Sequence, residues 1–265
     1  MIIATEYFHW GINPIILPLG PLAIRWYGLL FATGFIIGYR IIFKMYQREN
    51  KPLADLDPLL MYLVIGTVLG ARLGHVLFYD PGFYFSHPAE IIKIWKGGLA
   101  SHGGGIGVLL ATYLYSRKHP TQPYLWLIDR LAIPTALAGA FIRIGNFFNS
   151  EILGTPSHVP WAVVFTRIDN VPRHPVQLYE SISYAIIFMI LMTIYKKRAD
   201  NLRPGLLVGL LLVLVFSARF MLEFIKVHQA AYTSEFLSVG QWLSIPAVLG
   251  GVVLLVWGNK LPRKS

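Results

Sequence analysis

The sequence predicts an all-α fold, a polytopic integral membrane bundle of about seven transmembrane helices in one domain over residues 1–265. Three observations predict it. Of the 265 residues, 55% are hydrophobic and 14% are charged, whereas a soluble domain carries about 25% charged residues. Seven mainly apolar stretches approach the length of about 20 residues that crosses a bilayer. The Lys and Arg residues are concentrated in alternate connections between these stretches.

The seven apolar stretches give the expected bounds of the spans and leave little chain for a second domain. The spans are predicted at residues 19–40, 58–79, 97–116, 124–146, 177–195, 205–226 and 239–258. The longest connection covers residues 147–176 and is expected on the outer side. The first 18 residues contain no Lys or Arg, so they do not resemble a signal peptide.

The distribution of positive charge predicts an N-terminus outside and a C-terminus in the cytoplasm. In this orientation thirteen Lys and Arg residues fall in inner segments and five in outer loops, which is the positive-inside pattern. The inner residues are Arg40, Lys44, Arg48, Lys51, Arg117, Lys118, Lys196, Lys197, Arg198, Arg203, Lys260, Arg263 and Lys264. The net charge of +10 therefore indicates membrane orientation, and no nucleic-acid partner is expected. The absence of cysteine excludes disulfides and a cysteine nucleophile.

Several charges lie inside or at the ends of the apolar stretches, where an Arg costs about 2.5–3.5 kcal/mol at a helix centre. They are Arg25, Arg72, Arg130, Arg143, Arg219, Asp129, Glu180 and Glu223. For Asp129 and Arg130 a structural role is expected, either snorkelling near the helix end or an ion pair that pins two spans. Arg72 and His75, one turn apart, fit either a clamp or a site. Such charges usually face a bundle interior or an aqueous cavity.

The third span opens with Ser101-His102-Gly103-Gly104-Gly105-Ile106-Gly107. Glycines weaken a helix by up to about 1 kcal/mol each relative to Ala, but they allow close helix packing or expose N–H groups to an anion. The segment therefore fits either a packing face or an anion site. A lipase-type oxyanion hole is excluded because no Gly-x-Ser-x-Gly elbow accompanies the run.

The fourth span runs into a polar segment from Arg143 to Gly154. Arg143, Asn146 and Asn149 fall at near-helical spacing, which places them on one face, and Glu151 follows in the loop. A guanidinium fork beside amide groups suits the oxygens of a phosphate. The segment therefore predicts a phosphate-binding site at the outer end of this helix.

Two later segments add polar residues. Arg173-His174-Pro175 leads into the fifth span, which continues with Gln177-Leu178-Tyr179-Glu180; Pro suits a first helical turn, so an ordinary interfacial helix start also fits. In the sixth span Arg219 and Glu223 stand at i and i+4 on one helical face. That pair fits either a self-satisfied ion pair or a site in which Glu223 holds Arg219.

With these segments in order, the chain resembles the bacterial prolipoprotein diacylglyceryl transferases over nearly its whole length. The segment from Arg143 to Gly154 resembles the family's signature motif. The His102 run, the His174–Glu180 segment and Arg219-Phe220-x-x-Glu223-Phe224 resemble its other motifs, and Tyr27 stands at a tyrosine position of the family. Two positions differ from the family's usual pattern, Val215 in place of tyrosine and Lys226 in place of arginine.

The resemblance implies an enzyme of the bacterial inner membrane without cofactor or metal. Its implied substrates are phosphatidylglycerol and the signal peptide of a prolipoprotein, whose lipobox cysteine receives the diacylglyceryl group as a thioether while glycerol phosphate leaves. The implied catalytic residues are His102, Arg143 and Arg219. The implied substrate-binding residues are Tyr27, Gly103, Gly104, Asn146, Asn149, Glu151, Gly154 and Glu223.

Two other classes of function fit parts of the pattern. Buried arginines and a glycine-rich span also suit a transporter or channel for an anionic solute, but the two halves of the chain show no repeat symmetry. A non-catalytic lipid-binding scaffold would not need His102, Arg143 and Glu151 together. A lipidation assay with a lipobox peptide separates the transferase from both.

Overall fold

A computed structural model describes residues 6–19, 22–227 and 237–258 of the chain. It contains two compact units, Met1–Ile41 with Leu131–Ser265, and Ile42–Arg130. We refer to them as the signature unit and the glycine unit, after the motifs they contain. The expectation of one domain over 1–265 stays a prediction. The predicted inner charges Lys260, Arg263 and Lys264 lie outside the described residues.

Eight α-helices occupy most of the described chain. They are α1 Trp26–Arg48, α2 Leu56–Phe78, α3 Pro81–Ser86, α4 Ser101–Lys118, α5 Tyr124–Asn149, α6 Val176–Arg198, α7 Leu206–Leu222 and α8 Val239–Trp257. The start of α8 has a capping box, in which Ser238 accepts from Gln241 N and the Gln241 side chain accepts from Ser238 N. Such reciprocal bonds satisfy two of the unpaired N–H groups at a helix start.

Six of the helical segments in the described residues are long and apolar enough to cross a membrane, which agrees with a polytopic membrane bundle. They include α1, α2, α5, α6, α7 and α8. Helix α4 is a continuous helix of 18 residues, about 27 Å long at 1.5 Å per residue. Its polar, glycine-rich start and its basic end make it less apolar than the others, so seven spans and their orientation stay a prediction.

The predicted start of the first span is wrong. Residues 19–40 were expected to be helical, but Ile15–Leu19 and Leu22–Arg25 are strands β2 and β3, which pair antiparallel. Helix α1 begins at Trp26 and continues to Arg48. Apolar strands and apolar helices are not distinguished by hydropathy alone, which explains why the boundary was placed too early.

A small mixed sheet in the signature unit also departs from the all-α expectation. Strand β1 Phe8–Trp10 pairs parallel with β4 Val163–Phe165, and β4 pairs antiparallel with β5 Pro172–Arg173. Trp10 Nε1 donates to the carbonyl of Phe147 at 3.1 Å. Phe147, Val163 and Phe165 form a buried apolar cluster, so the sheet packs against the end of α5, next to the polar signature segment.

Helices α2 and α4 pack backbone to backbone in the glycine unit. A Cβ added at Gly103 would lie 2.3 Å from the Gly70 carbonyl oxygen and 2.8 Å from Gly74 Cα, and one at Gly107 would lie 2.0 Å from the Gly66 oxygen. Small residues four apart permit this close approach between membrane helices. Of the two roles expected for the glycine run, helix packing and anion binding, the structure shows helix packing at Gly103 and Gly107.

Arg72 has the clamp role that the sequence left open. Its guanidinium is buried and donates to the carbonyls of Glu90, Ile91, Gly97 and Gly98 at 2.6–3.0 Å. It therefore holds the connection between α2 and α4. Gly97 and Gly98 have φ of 89° and 73°, a region that glycine adopts at little cost.

Arg130 has the structural role expected of it. Its Nη2 and Nε donate to the Glu49 carboxylate at 2.7 and 3.1 Å, and Trp126 Nε1 donates to the same carboxylate at 2.8 Å. Both charged side chains are largely buried, so the pair joins α1 to the start of α5.

Candidate active site

The signature segment forms a chain of hydrogen bonds at the end of α5. Arg143 Nη1 donates to Asn146 Oδ1 at 3.1 Å, and Asn146 Nδ2 donates to Glu151 Oε1 at 2.7 Å. Asn149 Nδ2 donates to the same Glu151 oxygen at 3.2 Å. The expected common face of Arg143, Asn146 and Asn149 is thus confirmed, and Glu151 joins it from the following turn.

The turn after α5 has a strained backbone. Ser150 and Ile152 have φ of 55° and 58°, and non-glycine residues in this region cost of order 1–3 kcal/mol each. Glu151 N donates to the Asn146 carbonyl at 3.1 Å, and the buried Gln177 donates Nε2 to the Glu151 carbonyl at 2.7 Å. These bonds hold Glu151 back against the helix end, where its carboxylate can orient both asparagines.

Gly154 lies where two other segments meet the signature loop. A Cβ there would lie 2.3 Å from the His174 carbonyl oxygen, so only glycine fits without displacement. Gly154 is paired with Lys226 as an isolated bridge. Thr155 N donates to Ile225 O at 2.9 Å and Val227 N donates to Leu153 O at 3.0 Å. The structure thus gives Gly154 a backbone-packing role, and substrate binding at Gly154 stays a prediction.

Glu180 connects Arg143 to the segment after α7. Its side chain is fully buried; Oε2 lies 3.0 Å from Arg143 Nε and Oε1 accepts from Lys226 Nζ at 2.8 Å. Lys226 Nζ also donates to Glu223 Oε2 at 3.2 Å. A buried charge needs paired partners, and here one carboxylate lies within ion-pair distance of two cations.

Glu223 lies where helix α7 passes into a 3-10 turn, Glu223–Ile225. Its backbone stays helical, with φ of −63° and ψ of −26°, and its N–H donates to the Arg219 carbonyl, so the i, i+4 relationship with Arg219 is kept. The Glu223 carboxylate binds Lys226, and its pairing with Arg219 stays a prediction. Arg219 lies on α7, half-buried. Arg219 and Arg143 both lie within electrostatic range of the phenol of the buried Tyr184.

Tyr27 belongs to the same group of residues. A Cβ at Gly145 would lie 2.8 Å from Tyr27 Cδ2, so the ring rests on the glycine of the signature segment. The charges of Glu151 and Arg143 both act on its phenol. The signature unit therefore brings Tyr27 close to Arg143, Asn146, Asn149 and Glu151, and the substrate-binding role of these residues stays a prediction.

His102, Gly103 and Gly104 belong to the glycine unit. The exposed His102 ring lies parallel to Tyr79 at 6.0 Å between centroids and edge-on to Phe78 at 5.8 Å. Gly103 is in the α2 contact, whereas a Cβ at Gly104 would meet its nearest atom at an ordinary 3.6 Å. The catalytic role of His102 stays a prediction.

The outer loop is fixed where it enters α6. Arg173 Nη2 donates to Asp169 Oδ2 at 2.5 Å, and this hydrogen bond holds the pKa of the Asp169 carboxyl below its usual value. Trp161 Nε1 donates to the Tyr179 hydroxyl at 2.6 Å, and His174 Nδ1 lies 3.2 Å from the same oxygen. These bonds anchor the loop beside the start of the helix that carries Glu180.

Sequence reasoning did not assign Gln177, Glu180, Tyr184 or Lys226 to the site. For Glu180 and Lys226 the signals were present, since Glu180 is a charge within an apolar stretch and Lys226 stands at a position where the family usually has arginine. Gln177 lay within the His174–Glu180 segment that resembles a family motif, whereas Tyr184 gave no signal beyond its polarity. Within the described ranges, no group of three or more His, Asp and Glu side chains is placed to hold a metal ion.

The long apolar helices and the buried ion-pair cluster around Arg143 and Glu180 define a polytopic helical membrane protein with a charged polar centre. The chain belongs to the prolipoprotein diacylglyceryl transferase family, whose sequence model matches residues 14–257. The resemblance noted from its motifs is thus confirmed.

Curated relatives carry the name phosphatidylglycerol–prolipoprotein diacylglyceryl transferase. The relative from Tolumonas auensis is 56% identical over 252 residues, which covers 95% of this chain and 97% of that protein. The relative from Chloroherpeton thalassium is 53% identical over 252 residues, covering 95% and 94%. That from Porphyromonas gingivalis is 43% identical over 272 residues, covering 97% and 96%. This chain is similar to these transferases over nearly its entire length.

Proposed function

We propose that this chain transfers the diacylglyceryl group of phosphatidylglycerol to the lipobox cysteine of a prolipoprotein signal peptide. The cysteine sulfur attacks the glycerol carbon that bears the phosphate, forming a C–S bond. The C–O bond to phosphate breaks and its electron pair leaves with glycerol phosphate. The names of the relatives and the family match support this reaction.

The observation that carries the proposal is the arrangement of Arg143. Glu180 lies beside its Nε and Asn146 accepts from its Nη1. A guanidinium has five N–H donors, so donors remain for the oxygens of a phosphate. Preorganised donors stabilise the charge that grows on a leaving group without reorganisation during the reaction. Arg143 thus binds the phosphate, and Arg219 adds a second positive charge.

Three further roles follow from the chemistry. A thiol of pKa about 8.5 must be ionised before it attacks. His102 takes that proton, or holds the headgroup if the field of the arginines alone produces the thiolate. Asn146, Asn149 and Glu151 orient the headgroup, and Tyr27 closes the site beside Gly145. Gly103, Gly104, Gly154 and Glu223 complete the substrate-binding set.

The protein lies in the bacterial inner membrane with seven spans, the N-terminus outside and the C-terminus in the cytoplasm. The excess of Lys and Arg in the connections assigned to the inside supports this orientation. Helix α4 adds a span to the six candidates, third in chain order, because its length of about 27 Å approaches the hydrocarbon thickness of roughly 30 Å.

A lipidation assay tests the proposal. The purified protein is incubated with phosphatidylglycerol and a lipobox peptide. Mass spectrometry then measures the increase in peptide mass when a diacylglyceryl group is added to the cysteine. The parent chain is expected to form the adduct, and Arg143→Ala, Arg219→Ala and His102→Ala are expected to lose most of the rate. Removing one preorganised donor costs roughly 10²–10³-fold in comparable centres. Parent rates in these variants would contradict the assigned roles, and solute flux in vesicles without any adduct would favour a transporter.

A further inference from the structure

A concave pocket lies in the connection between α6 and α7. Its lining contains three cationic side chains, one carboxylate, one amide and one apolar side chain: Lys197, Arg198, Arg203, Asp200, Asn201 and Leu206. Lys197 and Arg198 are exposed, and Arg203 is half-buried. Positive charge therefore predominates at a surface depression that plays no part in the reaction proposed above.

The pocket is remote from the Arg143 centre within the same unit. Glu180 lies in the first turns of α6 and Arg198 is the last residue of that helix. Eighteen residues of helix separate them by about 27 Å. Helices α6 and α7 are both long and apolar enough to cross a membrane, so the pocket is at the end of two candidate spans, at the level of lipid headgroups.

Favourable interaction of basic side chains with the C-terminal end of α6 explains only some of the cations that line the pocket. Lys and Arg in the last turn of a helix interact favourably with its carbonyl end, and this would suffice for Lys197 and Arg198. Arg203 is outside α6, so the explanation does not extend to it. Leu206 N donates to the Arg203 carbonyl at 3.2 Å. Gly205 has φ of 84°, a conformation that suits glycine. This turn places Arg203 in the same pocket as the end of α6.

We propose that this pocket binds the phosphate group of an anionic membrane lipid. Two guanidinium groups and one ammonium group supply charge-assisted donors for phosphate oxygens, and Leu206 offers an apolar contact for the adjoining glycerol backbone. A lipid is favoured over free phosphate because the pocket is at the end of two spans, and basic pockets at such levels bind lipid headgroups. Asp200 lowers the net positive charge and limits the affinity.

Native mass spectrometry of the full-length chain in detergent tests this site. The chain is titrated with phosphatidic acid, which is anionic but is not the proposed substrate. Phosphatidylcholine serves as the neutral lipid and inorganic phosphate as a competitor. The Lys197→Gln/Arg198→Gln/Arg203→Gln variant removes the three cations, and Arg117→Gln/Lys118→Gln removes two exposed cations at the end of α4 as a control. Asp200→Asn removes the single carboxylate.

Each cation near a lipid phosphate is expected to contribute about fivefold to the affinity. The triple variant should therefore weaken binding of phosphatidic acid by at least about tenfold, whereas the control pair should bind like the parent. Asp200→Asn should bind two- to threefold more tightly (roughly the effect of one partly screened charge), and a misfolded variant would not produce that gain. Transferase activity in phosphatidylglycerol should persist in the triple variant.

Three results would overturn the proposal. The first is equal binding of phosphatidic acid by the parent and the triple variant, and the second is an equal loss in the control pair. The third is displacement of the lipid by inorganic phosphate at comparable concentration, which would identify a site for free phosphate. None of these results depends on the transferase reaction, so failure here leaves the proposed function standing.

Discussion

Glu180 and Lys226 form a buried ion pair, with 2.8 Å between Glu180 Oε1 and Lys226 Nζ, and the other carboxylate oxygen lies 3.0 Å from Arg143 Nε. The Glu180 side chain has no exposed surface. The Glu180 carboxylate thus connects Arg143 on α5 to Lys226 in the segment that follows α7. Glu180 therefore contacts two cations, Arg143 and Lys226, and Lys226 also contacts Glu223.

Replacing Glu180 with Gln is expected to destabilise the protein strongly. Breaking a buried pair by removing one partner costs about 3–5 kcal/mol, since an uncompensated charge is left buried. At about 2–4 °C per kcal/mol for a chain of this size, the midpoint of thermal unfolding in detergent should fall by about 6 °C or more. If Glu180→Gln unfolded with the same midpoint temperature as the parent, the Glu180–Lys226 pair would not contribute to stability.

Two companion variants separate charge from packing at Glu180. Glu223→Gln removes a carboxylate that contacts the same lysine but is partly exposed, so a smaller decrease in the midpoint is expected. The double variant Glu180→Gln/Lys226→Met removes both partners of the pair and should recover part of the loss of the single variant. Equal losses in Glu180→Gln and Glu223→Gln would contradict the bridging role of Glu180.

The adjacency of Arg143, Asn146, Asn149 and Glu151 could be predicted because helical spacing determines it within nine residues. The Glu180–Lys226 pair could not, since 46 residues separate the partners and only the folded chain brings them together. The contact of Glu223 with Lys226 was also not predicted. It forms in the 3-10 turn that follows α7, whereas the sequence pattern considered only the helical neighbour Arg219.

Most spans could be located from the sequence because apolar length is a local property. The spans predicted at residues 58–79 and 239–258 agree closely with helices α2, Leu56–Phe78, and α8, Val239–Trp257. The start of the first span could not be located from the sequence, because the apolar residues there form the paired strands β2 and β3. The sheet formed by β1, β4 and β5 was also missed, since it joins strands more than 150 residues apart.

Replacing Asn146 with Asp is expected to reduce transfer more than replacing it with Ala. Asn146 accepts from Arg143 and donates to Glu151. An aspartate would place a second carboxylate beside Glu151 and would neutralise Arg143. Hydrogen bonds to charged groups are worth about 1.5–3 kcal/mol, which corresponds to a loss of about 10–150-fold in kcat/KM.

Asn149 provides the matched control for Asn146, since it donates to the same Glu151 oxygen and has no hydrogen bond to Arg143 within the described part of the chain. Asn149→Ala should therefore lower kcat/KM less than Asn146→Ala in the phosphatidylglycerol assay. If Asn146→Asp were as active as Asn146→Ala, the proposed electrostatic role of the amide would be untenable.

Replacing Arg72 with Met is expected to loosen the connection between α2 and α4. Four backbone carbonyls would lose their donor, and each buried unsatisfied group costs about 1–3 kcal/mol. Hydrogen exchange of residues 87–100 should become at least about tenfold faster, while the centre of α5 stays protected. Arg117→Met removes an exposed arginine at the end of α4 and should change nothing. Unchanged exchange in Arg72→Met would exclude the clamp.

Replacing Gly103 and Gly105 separately with Ala distinguishes packing from binding in the glycine run. A Cβ at Gly103 would overlap the backbone of Gly70, whereas a Cβ at Gly105 would meet no atom within 4 Å. Overpacking costs about 1–3 kcal/mol, while Ala for Gly in an open helical position gains up to about 1 kcal/mol. Gly103→Ala should therefore unfold at lower temperature than the parent, and Gly105→Ala at an equal or higher one.

The activity of the two variants completes the argument. A loss of transfer in Gly103→Ala that parallels its loss of folded protein assigns Gly103 to the contact between α2 and α4. A loss of transfer in the stable Gly105→Ala would instead show that the open face beside His102 receives substrate, because the added methyl group disturbs nothing within the glycine unit. Parent-like unfolding of Gly103→Ala would refute the close contact itself, since a real Cβ does not fit 2.3 Å from a carbonyl oxygen.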